Sequence, residues 1–230
     1  FERFFRVEFW IKAVIIYLYT DIYINMLTNF ELLDIANKMN IDCIDGCYYK
    51  DELVLHNFKP NKAYIINLAN SDDDNDGTHW TCLYSRPNKA NTIEYIYFDS
   101  TGVIYPDEVK QFTNQPKIPY NKKNIQPSYN DACGFFILAF LYWLNAYENR
   151  TNILYLDCET FLAMFDNMNE KADLIKNEFI LSQFFKEAPI NEYTYKNITE
   201  SSFDWLVGIY EILISIFSML LENNKKENQK

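Results

Sequence analysis

The chain has 230 residues, 49% of them apolar, a length and composition that fit one catalytic domain with terminal extensions. Its 32 acidic and 21 basic residues give a net charge of −11, which opposes binding to a phosphate backbone and argues against nucleic acid as a partner. The five cysteines are odd in number and scattered, and no signal-peptide pattern opens the chain, so we expect a reducing, intracellular environment.

The first forty residues divide into an apolar extension and an amphipathic helix. Residues 1–25 are aromatic and aliphatic but are interrupted by charges too often for a membrane span, which needs roughly twenty mostly apolar residues. We interpret them as an N-terminal extension, either packed or not native, and Met26 as a candidate native start. Between Thr28 and Met39, apolar residues recur at three- and four-residue steps, which predicts a helix capped by Thr28 or Asn29.

The middle of the chain is typical of strands, and the segments after it are typical of helices. Short runs of β-branched and aromatic residues, separated by polar loops, predict strands over 63–68, 79–84 and 92–98. Apolar spacing and a favourable first turn predict helices over 106–112, 132–146, 159–165 and 172–185. We therefore predict an α+β fold in which a central mixed β-sheet is flanked by helices.

The end of the chain leaves two interpretations open. Residues 203–221 are apolar apart from Asp204, Glu211 and two serines, and a charged tail follows them. A membrane-associated helix fits this composition, but a glutamate inside a membrane is costly, and a packed or partner-binding helix explains the same residues. We expect residues 26–195 to form the catalytic domain and residues 196–230 to form an apolar helix with a charged tail.

His79 is the stronger candidate base of the two histidines. His56 lies in a polar stretch without a patterned partner, which is typical of a surface residue. His79 opens a predicted strand, and a hairpin whose loop is centred on Lys89 places His79 opposite Asp99. Opposed residues have Cβ atoms about 5 Å apart, close enough for the carboxylate to orient the imidazole.

Cys133 is the candidate nucleophile, because a polar loop that contains Gln126 ends in this cysteine at the start of a long apolar helix. Unpaired N–H groups at a helix N-terminus, together with a nearby imidazolium, favour a thiolate. Gly134 keeps the helix entrance uncrowded. The backbone N–H of Cys133 and the side-chain amide of Gln126 are candidate donors to an oxyanion, so this set of residues predicts thiol protease chemistry.

The other four cysteines are expected to be buried or incidental thiols. Cys82 lies in the middle of a predicted strand, facing away from the candidate base, and Cys158 precedes a predicted helix. Cys43 and Cys47 stand in a predicted turn. If these two and His56 were zinc ligands, a fourth ligand at finger-like spacing would be missing, so we expect no metal ion and no cofactor.

Three motifs carry these residues in the order His, Asp, Gln, Cys. They are Gly77-Thr78-His79-Trp80, Phe98-Asp99-Ser100-Thr101-Gly102, and a loop from Gln126 that leads to Cys133-Gly134-Phe135-Phe136. Together they resemble the adenovirus maturation protease (adenain) and its relatives in virophages, polinton-type elements and large DNA viruses, a superfamily that includes the proteases of ubiquitin-like modifiers (Ulp-like). Residues 42–53 also resemble the segment that precedes the first strand of viral relatives and borders their substrate cleft.

This resemblance implies a papain-like cysteine protease fold with the nucleophile at the N-terminus of a central helix. It implies a catalytic triad of Cys133, His79 and Asp99, an oxyanion hole assisted by Gln126, and a substrate-binding role for Trp80. The implied substrates are viral capsid or core precursor proteins, cut during virion maturation and often after a small residue such as Gly. The implied location is the virion and the host-cell cytoplasm or viral factory.

The chain departs from the adenovirus enzyme in two respects, and two other functions stay open. That enzyme is activated by a disulfide-linked peptide and by DNA, whereas here no cysteine lies between Cys82 and Cys133 and the net charge of −11 argues against DNA. Any activator is therefore unknown. A deconjugating protease for a ubiquitin-like modifier would share every catalytic part. A non-enzymatic capsid-associated module would be expected to have lost a catalytic residue, and all four are present.

Overall fold

The computed structural model describes residues 26–73, 78–126, 131–146, 153–169 and 171–185. In chain order its elements are α1 (Asn29–Lys38), β1 (Ile44–Tyr49), α2 (Lys50–Leu53), β2 (Ala63–Asn67), β3 (Trp80–Pro87), β4 (Ile93–Phe98), α3 (Asp107–Thr113), α4 (Cys133–Ala146), α5 (Leu154–Leu162) and α6 (Lys171–Gln183). The predicted extension at 1–25 and the predicted helix and tail at 196–230 lie outside the described residues.

The four strands form one mixed sheet in the order β1-β2-β3-β4. β1 runs parallel to β2, and the other two neighbouring pairs are antiparallel. The sheet is flanked by helices, since α1 contacts β1, α4 contacts β3 and α5 contacts β4. The predicted α+β architecture, a central mixed sheet flanked by helices, is therefore confirmed.

The core lies on both faces of this sheet. Phe98 of β4 stacks on Phe140 of α4, with ring centroids 4.3 Å apart. The preceding residue, Tyr97, belongs to a buried cluster with Tyr64 and Leu83. Because successive side chains of a strand point to opposite faces, this cluster covers the face that α4 does not. The strands whose ends carry His79 and Asp99 are thus packed on both faces.

The hairpin of β3 and β4 is present, but its register differs from the predicted one. Cys82 pairs with Phe98, so His79 lies two positions away from the residue opposite Asp99. The prediction that the two residues face each other directly is therefore wrong. The loop is organised by Asn88, whose Oδ1 accepts two backbone N–H groups at 2.9 and 3.0 Å. A displacement of two residues keeps every side chain on its predicted face.

Strand β1 and the short helix α2 that follows it were not predicted from the sequence. The sequence predicts a turn at Cys43 and Cys47, whereas Cys47 pairs with Ile65 of β2. Asp45 and Gly46 are typical of turns, which explains the error. In addition, all six residues of this edge strand are half-buried, so the strand lacks the alternation by which strands are recognised.

The predicted helices are present. Thr28 caps α1 as predicted, since its Oγ1 accepts the N–H of Glu31 at 3.2 Å while Glu31 Oε2 accepts the N–H of Thr28 at 2.8 Å. Helix α4 begins at Cys133, at its predicted position. Helix α5 begins at Leu154, earlier than predicted, so Cys158 lies inside this helix instead of before it. Among the described residues, no helix has both the length and the apolar character needed to cross a membrane.

Candidate active site

Cys133 is the first residue of α4 and is 2% exposed. The helix opens with a hydrogen bond from Phe136 N to Ala132 O at 3.1 Å, so the N–H of Cys133 belongs to the first turn, whose donors have no acceptor within the helix. The sulfur of Cys133 accepts a hydrogen bond from the backbone N–H of Trp80 at 3.4 Å. Both the helix terminus and this N–H place positive partial charge beside the sulfur, an environment that suits a thiolate.

His79 precedes β3 and is joined to Asp99, the residue that follows β4. The Nε2 atom of His79 lies 2.8 Å from Oδ1 of Asp99, and the two side chains are 19% and 1% exposed. Because Nε2 is bonded to the carboxylate, Nδ1 is the ring nitrogen that can exchange a proton with Cys133. The structure thus brings the predicted base and its predicted orienting group together.

Asp99 is itself fixed by neighbours that sequence reasoning missed. Thr101 donates to Asp99 Oδ1 twice, from its N–H at 2.8 Å and from its hydroxyl at 2.7 Å. Asn121 brackets the backbone of Asp99, since its Oδ1 accepts the Asp99 N–H at 2.9 Å and its Nδ2 donates to the Asp99 carbonyl at 2.6 Å. An aspartate two residues before a threonine is a signal of an Asx turn, so Thr101 could have been found. No local pattern points to Asn121.

The protonation of His79 is set by opposing influences. Burial is the largest single one and lowers the pKa of His79, but hydrogen bonds to Asp99 and Cys133 and the charges of these two groups outweigh it and raise the pKa to about 10. The imidazole is therefore protonated at neutral pH. An imidazolium beside the sulfur of Cys133 is the arrangement in which a thiolate–imidazolium pair forms.

Gln126 is 1% exposed and lies on the segment between α3 and α4, where Ser100 holds it. The backbone N–H groups of Ile125 and Gln126 donate to the Ser100 carbonyl at 2.8 and 3.2 Å. The Ser100 hydroxyl donates to Oε1 of Gln126 at 2.5 Å. The acceptor end of the amide thus faces Ser100, and Nε2 is the end that can donate to an oxyanion. Residues 127–130, which lead on towards α4, lie outside the described residues.

Trp80, whose backbone N–H contacts the Cys133 sulfur, is one of the residues that line a cavity of about 530 Å³. The cavity also borders the start of α1, strand β1 and the end of β2, and Glu52 is the charged residue among those that line it. The Trp80 side chain is largely packed, since the residue is 6% exposed and its indole Nε1 donates to the Leu27 carbonyl at 2.7 Å. The predicted substrate-binding residue therefore lies at a cavity, with its indole N–H engaged by Leu27.

The remaining cysteines and histidine do not form a second site in the described part of the chain. Burial raises the pKa of Cys82 and Cys158 well above the ordinary thiol value, and raises that of Cys47 to about 12, so these thiols stay neutral at physiological pH. His56 is exposed, as predicted, with its ring centroid 4.2 Å from that of Tyr48. Among the described residues, no group of three or more His, Cys, Asp and Glu side chains is arranged to hold a metal ion.

Comparison of the chain with protein-family models gives no match, and comparison with curated proteins gives none either. The chemistry of the site is therefore inferred from its geometry and from the motifs of the sequence.

Proposed function

We propose that this protein is a cysteine endopeptidase of the adenovirus maturation type, with Cys133 as nucleophile and His79 as general base and acid. The observation that carries the proposal is the 2.8 Å hydrogen bond between His79 and Asp99 at the N-terminus of α4, where Cys133 contributes to the raised pKa of His79. A thiol, an imidazole and a buried carboxylate in this order are the parts that nucleophilic acyl transfer requires. Gln126 completes the set as an oxyanion donor.

In the first half of the proposed reaction, the Cys133 thiolate attacks the carbonyl carbon of a peptide bond. A C–S bond forms, and the carbonyl oxygen becomes an oxyanion that the Cys133 N–H and Nε2 of Gln126 stabilise. The intermediate collapses with cleavage of the C–N bond, and the His79 imidazolium gives its Nδ1 proton to the leaving amine nitrogen. The products of this half are a thioester on Cys133, a free amine and a neutral imidazole.

In the second half, neutral His79 removes a proton from water as the water oxygen attacks the thioester carbonyl. The same two donors stabilise the second oxyanion. Its collapse breaks the C–S bond, releases the carboxylic acid product and restores the thiolate–imidazolium pair. Asp99 holds the ring through Nε2 and stabilises the positive charge that His79 carries before the thiolate attacks and again after it has taken a proton from the water.

The proposed substrates are capsid or core precursor proteins, cleaved after a small residue in the virion or in the cytoplasm or viral factory of an infected cell. Support for this substrate class comes from the three motifs that carry His79, Asp99 and Cys133. The cavity of about 530 Å³ beside Trp80 is large enough to take a side chain of an extended peptide. The net charge of −11 makes nucleic acid a poor partner for this chain.

Alkylation by iodoacetamide at mildly acidic pH tests the activated thiol, because ordinary thiols are protonated there and do not react. Peptide mass mapping of the wild type should find the label on Cys133 alone among the five cysteines. The His79→Ala variant should lose this labelling. Uniform labelling, or labelling that does not depend on His79, would contradict the proposal.

Peptide hydrolysis then separates the two protease functions. One set of peptides carries a small residue before the scissile bond, and the other set consists of ubiquitin-like C-terminal tails, with Cys133→Ala as the inactive control for both. We expect hydrolysis of the first set. Cleavage of the tails alone would instead assign deconjugation, and a protein that labels at Cys133 but cleaves neither set would not be a peptidase.

A further inference from the structure

The cavity that Trp80 lines is negatively charged. Among the described residues that line it, Glu52 is the one charged side chain, and none is a lysine, an arginine or a histidine. We propose that this cavity binds an arginine or lysine side chain of the substrate, with Glu52 as the ion-pair partner of the basic group. This inference rests on the proposed peptidase function and adds to it the class of side chain that the enzyme selects.

The cavity adjoins the nucleophile through two of the residues that line it. The backbone N–H of Trp80 donates to the Cys133 sulfur at 3.4 Å. Leu27 packs against Gly134, since a Cβ atom placed on Gly134 would lie 3.2 Å from Leu27 Cδ1. Cys133 and Gly134 are the first two residues of α4. A peptide bound at Cys133 can therefore reach the cavity with a side chain a few residues from the scissile bond.

The Glu52 carboxylate suits a basic ligand. Its Oε2 accepts the backbone N–H of Tyr49 at 3.3 Å, and no cation of the described residues forms an ion pair with it. Glu52 is half-buried, so solvent and salt screen its charge less than that of an exposed carboxylate. Tyr48, Tyr49 and Leu27 also line the cavity, and the methylene groups of an arginine or lysine can pack along such surfaces.

Asn67 offers the cavity a hydrogen-bond donor. It pairs with Trp80 across strands β2 and β3, and its Oδ1 accepts the N–H groups of Ala69 and Thr78 at 2.9 and 3.3 Å. Its Nδ2 has no acceptor among the described residues, yet it is not one of their fully buried side-chain atoms without a partner. Nδ2 therefore keeps accessible surface. Because Asn67 as a whole is 2% exposed and lines the cavity, we assign this surface to the cavity, where Nδ2 can donate to a main-chain carbonyl of the peptide.

The charge of the whole chain acts in the same direction as Glu52. A net charge of −11 favours the approach of basic peptides and opposes that of acidic ones. An ion pair in a cavity that opens to solvent is weakened by salt, whereas burial of an apolar side chain is not weakened in this way. Preference for a basic side chain should therefore shrink as the salt concentration is raised.

A position scan of substrate peptides tests the assignment. Each peptide keeps a glycine before the scissile bond, and one other position at a time carries arginine, its neutral isostere citrulline or glutamate. At the position whose side chain enters the cavity, we expect kcat/KM to be about tenfold higher for arginine than for citrulline, as for a hydrogen bond to a charged group. The difference should lie in KM, because this contact is remote from the reacting atoms and is made equally in the ground state and the transition state.

Substitution of Glu52 should change this preference without changing the nucleophile. Glu52→Gln keeps an oxygen that can accept the Tyr49 N–H, and it should hydrolyse the arginine and citrulline peptides with equal kcat/KM. Glu52→Lys should favour the glutamate peptide. Asp34→Asn is the matched control, because it removes one negative charge from an exposed residue of α1 that does not line the cavity. The control should keep the preference for arginine, and all three variants should be alkylated at Cys133 within about twofold of the wild-type rate.

Asp is the informative replacement for Asn67. Asn67→Asp keeps an oxygen that can accept the N–H groups of Ala69 and Thr78, but it loses the Nδ2 donor. We expect kcat/KM for the citrulline peptide to fall by about three- to tenfold, the range for a hydrogen bond between neutral groups. Preference for arginine should be kept. Unchanged hydrolysis of the citrulline peptide would show that Asn67 does not bind the substrate.

The remaining outcomes separate failure of this inference from failure of the proposed function. An active wild type that shows no arginine preference at any position, or a preference that survives Glu52→Gln, would refute the assignment of the cavity alone. Equal loss of the preference in Asp34→Asn and Glu52→Gln would show an effect of net charge and would refute it as well. A wild type that hydrolyses no peptide of the scan would refute the peptidase function and, with it, this substrate class.

Discussion

Asp99 receives three hydrogen bonds on one carboxylate oxygen, one from His79 Nε2 at 2.8 Å and two from Thr101 at 2.8 and 2.7 Å. Thr101 therefore holds the Asp99 carboxylate independently of the imidazole. The buried carboxylate in turn fixes the orientation of the imidazole ring. This arrangement separates two roles, since Asp99 orients and stabilises the imidazole whereas His79 moves protons. Substitutions of the two residues should differ in their effects.

We expect His79→Ala to lower kcat/KM more than Asp99→Asn does. Proton transfer by a positioned side chain contributes about 10²–10⁴-fold, and His79→Ala removes it completely. Asp99→Asn keeps a polar partner at the same place but loses the charge that stabilises the imidazolium. Steady-state hydrolysis of one peptide by both variants measures the difference, and equal losses would contradict the separation of roles.

Hydrolysis and alkylation should respond differently to alkaline pH. His79 has a pKa of about 10, so above that pH the imidazolium that protonates the leaving amine is lost and kcat/KM should fall. Alkylation of Cys133 expels iodide, which needs no proton donor, so alkylation should continue there. In Asp99→Asn, the falling limb of kcat/KM should move to lower pH. If kcat/KM of the wild type instead fell near pH 6.5, the ordinary histidine pKa, the assignment of this limb to a His79 with a raised pKa would be refuted.

The same histidine should make stability depend on pH. Its pKa is raised from 6.5 to about 10 in the folded protein, so its stabilising contribution is fully present below about pH 6.5 and is lost as pH rises through about 10. Urea unfolding of the wild type should therefore show a free energy of unfolding that decreases between pH 7 and 10. The decrease should be smaller in His79→Gln, and identical slopes would mean that the folded protein does not raise this pKa.

Gly102 should tolerate substitution poorly. It has a φ of 76°, and a Cβ atom placed there would lie 2.7 Å from the backbone oxygen of Lys122. Gly102→Ala should destabilise the protein by about 1–3 kcal/mol, because both the left-handed backbone and the close approach oppose a side chain. Thermal and urea unfolding would measure this.

Gly46→Ala is the control for this substitution. A Cβ at Gly46 would meet the hydroxyl end of the Tyr48 side chain, which can move, in place of a backbone atom. Its cost should therefore be the smaller of the two. The expectation fails if the two variants unfold at the same urea concentration. Because Gly102 N also donates to the Asp99 carbonyl at 2.9 Å, Gly102→Ala should reduce hydrolysis as well.

Local sequence was enough to predict where α4 begins and which side chains share a face of the β3–β4 hairpin. Cys133 begins α4 because a polar loop gives way there to a continuous apolar run. His79 and Asp99 were assigned to one face of the hairpin, and this holds although the register is displaced, because a shift of two residues preserves the face. The register itself depends on the hydrogen bonds of Asn88 within the loop, which alternation of apolar residues does not reveal.

The residues that support the site could not be predicted in the same way. Asn121 and Asn177 lie far from Asp99 and Ile125 in the chain and reach them through the tertiary fold. An asparagine in an irregular segment or on a helix gives no periodic signal, and its partner is known only when the fold is known. Ser100 stands in a motif that sequence reasoning quoted, but its contact with Gln126 spans a separation that no local pattern covers.

Trp80 uses its two N–H groups on two different partners. Its backbone N–H donates to the sulfur of Cys133 at 3.4 Å, and its indole N–H donates to the Leu27 carbonyl at 2.7 Å. Trp80 therefore links the segment before α1, through its side chain, to the nucleophile, through its main chain. The position of the segment before α1 and the environment of the Cys133 sulfur are thus coupled through one residue. Substitutions that move Leu27 are therefore expected to alter the reactivity of Cys133.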